Sequence, residues 1–143
     1  VRAILPRLHH LTFTEDEALA HDGSRNFLRY WLPVLAYVGT IFILSAQPGL
    51  KPPLNFEYSD KVAHILEYGG LGVLLARALI TLPRLQSLAL AGVSAVAIGT
   101  GIAAADELFQ STVPNRDSSV YDLVADTVGL SLGQVIYVWF KRP

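Results

Sequence analysis

Four stretches of this chain are each long and apolar enough to cross a bilayer: about Phe27–Ala46, Asp60–Leu82, Leu85–Gln110 and Ser119–Phe140. A hydrocarbon core of about 30 Å takes about 20 helical residues. No water inside that core can satisfy a bare amide, so an isolated apolar run must close its own hydrogen bonds as a helix. The connectors suit turns: QPGLKPPLNFEYS is proline-rich, TLPR is tight and STVPNRDS is polar. The pattern predicts an all-α, four-helix transmembrane bundle. Only 16% of the residues are charged, against about a quarter in soluble domains. Without cysteine there are no disulfides and no thiolate metal sites, and a net charge of −1 does not suggest nucleic acid as a partner.

Residues 1–28 are a polar tail and residues 29–143 the membrane domain. The tail holds Arg2, Arg7 and Arg25, a His9-His10 pair and the run Glu15-Asp16-Glu17. Thr14 and Glu17 have capping-box spacing, which predicts a short helix from about Glu15 to His21. Ile4, Leu5, Leu8 and Leu11 form an amphipathic turn suited to a membrane surface, although a loosely ordered tail is the plainer expectation. The first apolar run lies behind this polar leader and lacks an A-x-A-like site, so it reads as a span and not as a cleavable signal peptide.

Charge orients the bundle. With the N-terminus in the cytoplasm, eight of the eleven basic residues lie inside, leaving Lys51, Lys61 and Arg116 outside. This follows the positive-inside rule and predicts both termini in the cytoplasm of a multi-pass protein of a bacterial inner membrane. Eight of the twelve acids then gather at the outer face: Glu57, Asp60, Glu67, Asp106, Glu107, Asp117, Asp122 and Asp126.

Helical spacing sorts these acids. Asp60, His64, Glu67 and Leu71 share one face of the second helix, and Asp106 and Gln110 share a face of the third near Gly99 and Ala103. Asp122 and Asp126 continue into Gly129 and Gly133 on the fourth. Gly129-x-x-x-Gly133 lets helix backbones approach closely, so the acidic stripe should face the bundle. A charged side chain facing lipid at mid-helix costs at least about 2.5–3.5 kcal/mol. Asp60 and Asp117 fit an interfacial or capping role equally well. Glu67 and Asp126 lie deeper, and Asp106-Glu107 sits at a helix C-terminus, where the dipole disfavours anions.

Eight outer acids against three bases leave an excess of five negative charges, to be relieved by protonation, pairing or a bound cation. Arg116 is the expected counter-ion, for Asp122 or Glu107, and His64 adds a nitrogen that titrates near neutrality. The candidate ligand-binding set is Lys61, His64, Glu67, Asp106, Glu107, Gln110, Arg116, Asp122 and Asp126. One histidine with carboxylates suits a divalent ion in chemistry. The spacing matches no recognised metal signature, however, so no metal or other cofactor is expected. Ser45 and Ser111 have no partner at helical spacing that marks a nucleophile.

SAQP at the end of the first helix, DKVAHILEYGGLG opening the second and DELFQSTVPNRDSSVYDLVADTVG joining the third and fourth resemble, in order and spacing, the VanZ-like family of small membrane proteins. The resemblance covers roughly Trp31 to Phe140. Asp126 departs from it, because the family more often has asparagine there, and the polar tail lies outside it. The resemblance implies the fold and membrane placement, and it implies a link to low-level resistance to the glycopeptide teicoplanin. No established reaction comes with it.

Three functions fit the outer cluster. A binding module would engage a lipid-linked envelope precursor or a glycopeptide, with Lys61 and Arg116 on anionic groups and Asp106, Glu107, Gln110 and Asp122 on amines and hydroxyls. An enzyme would use His64 and Glu67, with Asp106, Glu107 or Asp122, for acid–base or metal-assisted hydrolysis or transfer. An accessory subunit would use the cluster as a clasp within a larger membrane-protein complex. Membrane lipids are partners in all three.

Overall fold

The computed structural model describes residues 23–50, 56–116 and 118–141. Nearly all of the tail, including the Glu15–His21 helix expected there, lies outside the described residues. Among the described residues the chain is all-helical, with four helices long and apolar enough to span a membrane: α1 Gly23–Ser45, α2 Ser59–Leu79, α3 Leu88–Gln110 and α4 Val120–Lys141. Leu66, Val93, Leu108 and Trp139 are among many large apolar side chains left exposed around the bundle, a surface that suits acyl chains and not water.

α1 begins earlier than its apolar run, so Pro33 falls inside a helix instead of at its start. A proline there removes a donor and crowds the carbonyl four residues back. The chain absorbs this in a wide turn over Phe27–Trp31, where the Leu32 amide donates to the Phe27 carbonyl. The α2–α3 hairpin is longer than TLPR alone suggests. Thr81 Oγ1 donates to the Ala78 carbonyl at 2.6 Å, and the Leu82 amide donates to the Leu79 carbonyl at 2.9 Å, which closes α2 at Leu79. Ser87 Oγ then accepts from the Leu90 amide at the start of α3. A local cap sets this boundary where apolar count alone reaches back to Leu85.

The core is built on small residues. Ala91, Ala95, Gly99 and Ala103 recur every fourth residue on the buried side of α3. Fully buried Leu130 of α4 fills the space that Gly99 leaves. α2 and α4 form the most extensive helix pair, because glycines lie at their crossing. A Cβ on Gly129 would strike the Ile65 backbone, and one on Gly133 would strike the Gly69 carbonyl. Such close approach is what a small-x-x-x-small face provides when lipid supplies no hydrophobic drive for association.

The bundle has two unlike ends. At one, the guanidinium of Arg77 lies 5.3 Å from the Tyr30 ring centroid, a cation–π contact, and Lys141 closes α4. At the other, the end of α1, the start of α2, the end of α3 and the start of α4 converge, and every acid of the described helices lies there.

Candidate functional site

The acid-rich end is held by three polar contacts between helices. One is a clasp between α1 and α3. Ser45 Oγ donates to Asp106 Oδ2 at 2.9 Å. Gln110 Nε2, one turn on, donates to the same oxygen at 2.9 Å and to Ser45 Oγ at 3.1 Å. The Tyr68 hydroxyl of α2 also points to Asp106 Oδ2 at 3.4 Å. Asp106, Gln110, Ser45 and Tyr68 are all buried, so removing the shared acceptor strands three donors. Asp106→Ala is therefore expected to lower stability by about 1–3 kcal/mol or more, read as thermal unfolding in detergent. An unchanged unfolding temperature would show that the clasp contributes nothing.

The other two contacts join α2 to α4. Asp126 is fully buried, and its Oδ1 lies 2.8 Å from His64 Nδ1. One turn toward the surface, the Lys61 ammonium pairs closely with Asp122 and reaches Asp60 at 2.9 Å. His64 and Lys61 are three residues apart on α2, and Asp126 and Asp122 are four apart on α4, so two facing helices align both pairs. Asp60, in the first turn of α2, is half exposed.

Glu107 stands beside these pairs. It is 9% exposed. Its Oε2 accepts from the Ser119 amide at 3.0 Å, while Oε1 has no partner among the described residues. Asp126, Asp122 and Glu107 all act electrostatically on His64. Glu67, half buried, lies in the fields of His64, Asp106, Asp126 and Arg116. The stripe that helical spacing assigned to the bundle interior is thus gathered there, with His64 and Asp126 facing each other instead of lipid.

Arg116 does not serve as the expected counter-ion. Among the described residues it forms no ion pair, and its Nη1 donates to the Leu50 carbonyl at 2.9 Å. The left-handed Asn115 (φ 60°) turns the α3–α4 connector just before it, and the arginine meets the segment that follows α1. Lys61, projecting from the first turn of α2, takes Asp122 instead. Asp117 lies outside the described residues.

Sequence reasoning missed Ser45 and Tyr68. Tyr68 carried a signal, since it lies four residues after His64 and so belongs to the same stripe. Ser45 carried none, because its partners Asp106 and Gln110 are more than sixty residues away.

A cleft of about 390 Å³ opens between the ends of α3 and α4, lined by Glu107, Ser118, Ser119, Leu108 and Leu123. A groove of about 490 Å³ continues from Leu123 along Val124, Thr127, Val128 and Leu132. The path carries a few polar groups, Glu107, Ser118 and Ser119 among them, at the bundle end and is apolar along the helices.

A model of the VanZ/LLP1 family matches residues 8–141, nearly the whole chain. The match reaches through most of the polar tail, beyond the Trp31–Phe140 stretch that carries the motifs. No curated protein and no solved structure matches.

Proposed function

The chain belongs to the VanZ/LLP1 family, and from that premise we propose that this multi-pass membrane protein binds the polar head of a cell-envelope amphiphile in the acid-rich end of its bundle. The basic residues of the tail, the Arg77–Arg84 hairpin and the C-terminal end support a cytoplasmic location for both termini, which puts the acidic end at the outer face. There a lipid-linked envelope precursor presents amines and hydroxyls. The family's association with teicoplanin resistance fits a protein that acts on this class of molecule or on the glycopeptide itself.

One observation carries the reading: Glu107 lines the cleft while its Oε1 lacks a partner among the described residues. A buried acceptor without a donor is costly, and a ligand amine or hydroxyl entering between α3 and α4 would satisfy it. The apolar groove below Leu123 would take the acyl or prenyl chain. Lys61 and Arg116 belong to the same end and would meet anionic groups of the head, and Asp106, Gln110 and Asp122 are buried at that end.

The test is direct binding of a lipid-linked envelope precursor to the protein in nanodiscs, with teicoplanin as a separate arm. Glu107→Gln is expected to weaken the interaction at least about tenfold, the scale of a charge-assisted hydrogen bond lost from a buried site. No binding of either molecule, or equal affinity in wild type and variant, overturns the proposal.

A further inference from the structure

We infer that His64, Glu107 and Asp122 form a binding site for a divalent cation. Each offers one ligand atom, and these atoms all lie within 4.8 Å of one another. They come from α2, α3 and α4, so no linear motif announces them. A zinc-type ion takes such donors at about 2.0–2.2 Å, so binding requires the three side chains to draw in on the ion.

Two observations independent of the acidic clustering point to a cation. Glu107 is 9% exposed, and its Oε1 is buried. No protein donor among the described residues meets that oxygen. The second is the orientation of the histidine. Asp126, fully buried and outside the donor trio, engages His64 Nδ1 at 2.8 Å. Nε2 is thereby left as the free ring nitrogen, held in place by a carboxylate behind it. That is the arrangement by which metal-ligating histidines are oriented.

Charge points the same way. Asp126, Asp122 and Glu107 act together on His64. The one ammonium nearby, Lys61, contacts Asp122 at Oδ1 and divides itself with Asp60, leaving Asp122 Oδ2 for an ion. One imidazole nitrogen with two carboxylate oxygens is a borderline donor set, suited to zinc or manganese. Three protein donors leave a coordination position open beside the cleft that Glu107 lines. Glu107 serves both this site and the proposed amphiphile site, so the cation is measured with no amphiphile present, and either proposal can fail alone.

The experiment uses the full chain, free of any purification tag, in detergent, with His9→Gln, His10→Gln and His21→Gln removing the competing tail imidazoles. Titration calorimetry with zinc and with manganese is expected to show one ion per chain. His64→Gln and Glu107→Gln each weaken it at least about tenfold, while Glu57→Gln leaves it unchanged. Zinc-edge absorption spectroscopy on the chain with His64 and Glu107 intact is expected to show one imidazole nitrogen and otherwise oxygen, so the site stays testable even where a variant fails to fold. No stoichiometric binding of either metal, a shell without imidazole, or undiminished affinity in a folded His64→Gln chain overturns the inference.

Discussion

Gly133→Val is expected to abolish the folded bundle, and Gly133→Ala to weaken it by about 1–3 kcal/mol, the usual cost of forcing extra carbon into a packed interior. A Cβ at Gly133 meets the Gly69 carbonyl and, at 3.2 Å, the Val73 amide nitrogen. These are backbone atoms of α2, so no side chain can swing aside, and α2 and α4 must separate. That separation strains every contact the pair makes, including the His64–Asp126 and Lys61–Asp122 pairs three turns or less away. The measurement is thermal unfolding in detergent together with size-exclusion chromatography. Gly39→Ala and Gly101→Ala are the matched controls, since a Cβ at either meets nothing within 4 Å, and both should unfold at or slightly above the wild-type temperature. A Gly133→Val protein that elutes as one species and unfolds with the wild type would refute the close crossing.

Asp126→Leu is expected to cost about 3–5 kcal/mol, the price of leaving one member of a buried pair alone. The side chain is fully buried, and its Oδ1 lies 2.8 Å from His64 Nδ1. Leucine is larger and offers no hydrogen-bonding atom, so His64 Nδ1 would lie desolvated with no oxygen facing it. Asp126→Asn separates hydrogen bonding from charge. The amide oxygen still accepts from His64, so the expected loss is about 1 kcal/mol or less. Stability ordered wild type, then asparagine, then leucine confirms the pairing; asparagine and leucine variants equally destabilised would mean that charge, not the hydrogen bond, holds His64. The asparagine variant should leave the fold intact.

Reading the sequence for periodicity located all four helices and the end of the bundle where acids collect. It did so because both follow from local rules: an apolar run must be helical in lipid, and residues three and four apart share a face. Helix ends were less accurate where a local contact outweighed hydropathy, as Ser87 does at the start of α3 and the Thr81 turn does after α2. The wide turn ahead of Pro33 also has no pattern of its own.

Within the site, spacing alone placed His64, Asp122 and Asp126 on inward faces and marked Gly129 and Gly133 as a packing surface. Partner choice was beyond its reach. Arg116 looked like the counter-ion because it is the one arginine that charge asymmetry assigns to the outer face, yet Lys61 holds Asp122 and Arg116 turns to Leu50. Ser45 joins Asp106 and Gln110 only because α1 lies against the end of α3. The sequence by itself determined how many helices there are and which side of each is polar, since hydropathy and helical geometry are properties of neighbouring residues. Only the tertiary structure decided which cation meets which carboxylate and which carboxylate oxygen is left over, because these depend on distances between residues that are remote along the chain.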